Sequence, residues 1–114
     1  MAGERRPLLP IVRRARAELD IHEALDFYIA DSVPSARRFV AALEKAFTHI
    51  QRAPDTGSPR WGQALDIPGL RAWRCGKFPH LIFYVHHRDR IEVWRLLHGE
   101  RDIPAWLADD SLPL

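Results

Sequence analysis

The sequence predicts an α+β fold: an N-terminal strand, an antiparallel helical hairpin, and a C-terminal three-strand meander completing a small antiparallel sheet beneath the hairpin. Three observations carry this expectation. Residues 17–28 and 36–50 each place apolar side chains at helical spacing, with only a short break between the two stretches. Residues 70–75, 80–86 and 90–98 are short, rich in β-branched and aromatic residues, and joined by turn-forming links. Residues 8–13, Leu-Leu-Pro-Ile-Val-Arg, also read as a strand, and Pro10 suits a sheet edge because it has no amide to donate.

In the first helix, which starts at Ala15, Ala17, Ile21, Ala24, Leu25 and Tyr28 form one apolar stripe. Glu18, Asp20, Glu23 and Asp26 make this helix acidic, and Leu19 and Phe27 lie off the stripe. Asp31-Ser32-Val33-Pro34 ends this helix and starts the next. Ser32 is a suitable cap, and Pro34 fits a first turn whose amides are unpaired anyway. Ala36, Phe39, Val40, Leu43, Phe47 and Ile50 then recur on one face, the cleanest periodic signal in the chain. Helices joined by so short a turn pack antiparallel. Pro54 to Gly57 reads as a turn, and the Pro- and Gly-rich stretch up to Gly69 as a loop pinned by Trp61 and Leu65. The links Gly76 to Pro79 and His87 to Arg90 are short enough for hairpins. A last short helix is expected over 102–107, started by Asp102 or by the Ile103-Pro104 pair.

Both faces of the last two strands are apolar. Leu81, Phe83 and Val85 alternate with Ile82 and Tyr84; Ile91, Val93 and Leu97 alternate with Trp94 and Leu96. A sheet with one wet face alternates apolar with polar residues instead. The hairpin covers one face, so the other needs a loop, the tail or another protein. Strict alternation also puts Arg95 beside Val93 and Leu97, where an unpaired charge is costly. Either a bulge turns it out, or a carboxylate such as Asp20, Asp26 or Asp102 meets it; a structural ion pair is the expected answer.

The length of 114 residues fits one domain, 1–114, with a core over about 8–107. Hydrophobic content of 46% beside 28% charged residues sets the chain apart from disordered sequences. No apolar run approaches the roughly 18–20 residues that cross a bilayer, and the basic start lacks the apolar stretch of a secretory signal. A cytoplasmic protein is expected. The single Cys75 excludes an internal disulfide and leaves too few thiols for a zinc knuckle. The net charge is only +2, but residues 1–16 hold five Arg against one Glu, and residues 71–101 hold seven Arg and Lys against three acids. Fifteen of the seventeen basic residues are Arg, the side chain suited to bidentate pairing with carboxylate or phosphate. With so small a net excess, acidic protein partners rank ahead of nucleic acid.

Several segments, taken in order, carry a resemblance. They are Ala17-x-x-Asp20-Ile21 through Tyr28-Ile29, Ala36-Arg37-Arg38-Phe39, Pro54-x-x-Gly57, Gly69-Leu70-Arg71, and Phe78 to Tyr84. The series closes with Ile91-x-Val93 and Leu97-His98-Gly99-x-Arg101-Asp102. Over residues 11 to 107 the chain resembles the RelE/ParE superfamily of type II toxins, and within it the ParE branch. That resemblance implies a small cytoplasmic toxin, active in plasmid or genome stabilisation and neutralised by a ParD-like antitoxin encoded beside it. It implies DNA gyrase as the target, whereas RelE-like relatives cut messenger RNA on the ribosome.

Metal-free RNA cleavage requires a base for the 2′-hydroxyl proton, an acid for the leaving oxygen and cations at the phosphate. In a nuclease, His98 would be the acid or base, with Arg74, Lys77, Arg95 and Arg101 around the phosphate. The plainer expectation is that His98 ends a strand and bonds to backbone; no tyrosine follows it, a departure from the RNase-type pattern. A toxin acting by binding is therefore expected to have no catalytic residue, cofactor or metal. It is also expected to make no membrane contact and, alone, no specific nucleic-acid complex. The alternatives are the nuclease and an inactive module that only binds antitoxin. The residues expected to meet a partner are Arg71, Trp73, Arg74, Tyr84, Trp94 and Arg95. Arg71-Ala72-Trp73-Arg74 fits a grip on an acidic antitoxin segment or on gyrase, or else a solvated edge beside a core Trp. Trp94 is expected on the open sheet face, where its loss weakens an antitoxin complex by over ~1 kcal/mol if it is a hot spot. His86 and His87, adjacent on a strand, point to opposite faces and do not chelate a metal together. Cys75 reads as inert packing.

Overall fold

The computed structural model describes residues 8–108. β1 (Ile11–Arg13) is followed by α1 (Ala15–Asp31) and α2 (Val33–Arg52), a 3-10 turn at Pro54–Thr56, and α3 (Arg60–Leu65). β2 (Leu70–Arg74), β3 (His80–His86), β4 (Ile91–His98) and α4 (Ile103–Ala108) complete the chain. The strands lie in the order β1-β4-β3-β2. The fold class is the expected one, with two differences in detail. β1 runs parallel to β4, Ile11 against Ile91, so the four-stranded sheet is mixed. A parallel neighbour needs a long crossover, and everything between these two strands supplies it. The stretch read as loop contains α3, whose six residues are too few to show a stripe. α3 closes on Asp66 at φ 55°, a left-handed position that Asp tolerates better than most residues.

The hairpin forms as its spacing requires. Ser32 caps α2 by accepting the Ser35 amide at 3.1 Å, with Pro34 in the first turn. Ala17 and Ala24 of α1 and Phe39, Leu43, Ala46 and Ile50 of α2 pack on Ile82, Tyr84, Ile91, Val93 and Leu96 of the sheet. Each large side chain so buried contributes about 1.5–3 kcal/mol. Tyr84 explains the Pro54-x-x-Gly57 element. Its buried hydroxyl donates to the Pro54 carbonyl at 2.7 Å and accepts the Gly57 amide at 3.0 Å. A Cβ on Gly57 would collide with that oxygen, so the close approach requires glycine.

The second sheet face is covered by the chain itself. Leu70, Ala72, Phe83, Val85 and Leu97 pack with Ile103 and Leu107 of α4, and Trp61, Leu65, Ile67, Trp94 and Trp106 close over them. Trp61 and Leu65 therefore do pin their segment. This corrects the picture of an open apolar face awaiting a partner: loop and tail cover it. Trp94 is half-buried there, under the Arg14 guanidinium at 3.8 Å and donating to Glu92 at 3.2 Å.

Arg95 receives both answers at once. Phe83 pairs with Arg95 but Tyr84 with Val93, so Trp94 is an extra residue and β4 bulges. Beyond the bulge Arg95 meets Asp20, with Nε at 2.7 Å and Nη2 at 2.9 Å from its carboxylate. Asp20 also accepts the Leu96 amide at 3.0 Å. Arg95 Nη1 donates to the Trp106 carbonyl, tying α1, β4 and α4 together.

Candidate functional site

The strand registers and the bulge distribute the predicted site residues over several places. Tyr84 and Arg95 are buried, at 0% and 2% exposure, and their side chains belong to the core rather than to a contact surface. Trp94 is committed to Arg14 and Glu92. Arg71 donates to the Gly57 carbonyl at 2.9 Å, bracing the turn. Arg74 is exposed, its Nε donating to the Phe78 carbonyl at 3.1 Å, and Lys77 is exposed in the next turn. His98 pairs with His80, whereas Arg74 pairs with Leu81, one residue out of phase, so the two leave the sheet on opposite faces.

His98 and Arg101 enter a cleft of about 500 Å³ between α1 and α4. Phe27, Tyr28, His80, Glu23 and Trp106 also line it. Phe27 is one of the two residues off the α1 stripe; it stands 69% exposed at this cleft, so its irregular position was itself the signal. His80 gave no such signal, because only the pairing of β3 with β4 brings it to His98, with ring centres 5.6 Å apart. The Tyr28 hydroxyl and His80 Nε2 lie 3.2 Å apart. Burial, then the neighbouring His98 and Arg101 charges, pull His80 down to about 4, so it is neutral at pH 7. His98 Nδ1 accepts the Glu100 amide at 3.1 Å, which leaves its proton on Nε2. In neutral His98 the one ring lone pair is thus already engaged. Arg101 stacks on Trp106 at 4.5 Å.

A second recess, about 430 Å³, lies between α2 and β2. Ala42, Lys45, Ala46 and His49 line it from α2, and Trp73, Arg74 and Gly76 from the strand and its turn. His49 stacks on Trp73 at 4.1 Å with the rings 14° apart. The α2 residues were invisible as site residues because they lie beside the apolar stripe, and only the docking of β2 makes them a wall.

Elsewhere His86 bonds Asp55 at 3.0 Å and His87 bonds Glu92 at 2.9 Å, so the adjacent pair serve different partners. Burial pushes the Cys75 thiol up to about 12, leaving it a small packed hydrophobe. Among the described residues no helix is long and apolar enough to cross a membrane.

Residues 11–103 match the family model for the ParE toxin of the type II toxin–antitoxin system parDE. The chain belongs to the ParE toxin family. The fold of this ParE-family chain is similar to one in a solved structure of a chromosomal ParDE system from P. aeruginosa, with TM-score 0.65 and 16% identity. That likeness covers 80% of this chain and 96% of the other, and at such low identity it bears on the fold. No curated protein matches the sequence. The matched span runs from β1 to the first residue of α4, so it includes the Asp20–Arg95 pair and the lining of both recesses apart from Trp106.

Proposed function

We propose that this ParE-family toxin works in the cytoplasm by binding DNA gyrase, without catalytic chemistry of its own, and that a ParD-like antitoxin neutralises it. One observation carries the preference for binding over RNA cleavage: the groups a nuclease would use do not converge. The ring lone pair of His98 is held by the Glu100 amide, the charge of Arg95 is spent on Asp20, and Arg74 leaves the sheet on the other face. A general base must reach the proton it abstracts, and the cations must surround one phosphate. Family membership supports the toxin role itself.

The test is supercoiling by purified gyrase in the presence of excess purified chain. Loss of supercoiling, with accumulation of cleaved DNA, is expected. Full supercoiling at large excess overturns the gyrase reading. Ribosome-dependent cleavage of messenger RNA by the same preparation, abolished by His98→Gln, overturns it in favour of the nuclease.

A further inference from the structure

Outside α2, six arginines are matched by carboxylates. Arg13 meets Glu18 at 3.0 Å, Arg14 meets Glu92 at 3.1 Å, and Arg90 meets Asp89 at 2.9 Å. Arg95 meets Asp20 at 2.7 Å, and Arg16 and Arg71 each have a carboxylate at 3.9 Å. α2 differs. Its four cations, Arg37, Arg38, Lys45 and Arg52, are all exposed, and no carboxylate among the described residues pairs with any of them. Arg38 donates to the Ser35 hydroxyl oxygen at 3.1 Å, and the other three make no side-chain bond among the described residues. The net charge of +2 hides this patch, because the acids that offset it lie elsewhere on the surface or in those pairs.

The four cations also share one side of the helix. At about 100° and 1.5 Å per residue they fall within a sector of about 100° and extend about 22 Å along the axis. That sector lies opposite Phe39, Leu43, Ala46 and Ile50, which pack on the sheet. Its other exposed members are Pro34, Ala41 and Thr48. Glu44, the one acid of α2, falls past its margin and lines the groove beside β1.

We infer that this outer face of α2 is a contact surface for the phosphate backbone of duplex DNA, held without sequence preference. The inference goes beyond the gyrase reading and does not depend on it, since DNA alone is the ligand. An acidic protein partner would need a buried aromatic or aliphatic anchor at the centre of the contact, and Ala41 and Thr48 supply none. Phosphates need only cations along a line and neighbours small enough to let them approach. The sector carries no aromatic ring, so it has no platform for the bases of a single strand. Apart from its cations it offers one hydrogen-bonding side chain, the Thr48 hydroxyl, which is too little to read base edges or 2′-hydroxyls. With its other face committed to the sheet, α2 lies on the backbone rather than deep in a groove. Its cationic row covers about six base pairs.

The experiment uses the full chain and a fluorescent mixed-sequence duplex of about 20 base pairs, with binding read by anisotropy and no gyrase present. Three or four neutralised phosphates predict a slope of log affinity against log salt of about −3, so affinity falls about 20–50-fold from 50 to 150 mM salt. Lys45→Ala and Arg52→Ala are each expected to flatten that slope by about 1. The triple variant Arg38→Ala/Lys45→Ala/Arg52→Ala is expected to abolish binding, and Arg88→Ala, in the exposed β3–β4 turn, to leave it unchanged. A second readout needs no variant: excess duplex at low salt is expected to slow acetylation of Lys45 in the unmodified chain at least fivefold. Absence of binding at low salt, a slope unaltered by the triple variant, or a Lys45 that stays fully reactive overturns the inference. Tighter binding of single-stranded DNA, of duplex RNA or of polyglutamate than of the duplex overturns it as well, by assigning the face to another ligand.

Discussion

Replacing Asp20 by alanine removes the acceptor for three buried hydrogen bonds, from Arg95 Nε, Arg95 Nη2 and the Leu96 amide. The two side chains of the ion pair are only 2% and 4% exposed, so water cannot take the carboxylate's place without opening the core. Removing one partner of a buried pair leaves an uncompensated charge and costs about 3–5 kcal/mol. For a chain of this size, with a total stability of about 5–15 kcal/mol, that is a large share. At about 4 °C per kcal/mol it lowers the melting temperature by roughly 12–20 °C. Arg95→Met also releases the Trp106 carbonyl and hence α4. The double variant Asp20→Ala/Arg95→Met removes both charges, so its cost should be smaller than the sum of the two single costs by over ~2 kcal/mol. Urea unfolding followed by circular dichroism on the three variants measures this cycle. An Asp20→Ala cost under ~1 kcal/mol, or strictly additive losses, would refute the view that this pair ties α1 to β4.

Two further perturbations probe the turn and the cleft. Tyr84→Phe leaves the Gly57 amide and the Pro54 carbonyl without their buried partner and should cost about 1–3 kcal/mol in the same assay. Gly57→Ala, which forces a methyl group against the Tyr84 oxygen, should cost about as much through overpacking, and neutral behaviour of both would show that the turn is not held by this contact. His80 titrates near 4 in the folded chain against 6.5 when free, so the folded state binds its proton less readily than the unfolded state does. Its contribution to stability is complete above about pH 6.5 and declines as the pH falls towards 4. His80→Gln should flatten the fall in melting temperature across that window, and an unchanged slope would count against the buried, neutral assignment.

Much of this molecule was written in local pattern. The stripe from Ala36 to Ile50, the Ser32 cap and the strand segments were legible because periodicity and capping depend only on neighbours a few residues away. The order of the elements, with the spacing of motifs such as Pro54-x-x-Gly57, was enough to point to the family. α3 escaped because six residues between Pro59 and Asp66 are too short for a period to appear. The fate of the second sheet face, the position of the bulge, the meeting of Arg95 with Asp20 across 75 residues of sequence, and the assembly of either recess were settled only by tertiary packing. A bulge moves every later side chain on its strand to the other face, and a buried charge is tolerable only where a partner reaches it. Both conditions depend on which distant segments come together, and residue spacing along the chain does not encode that.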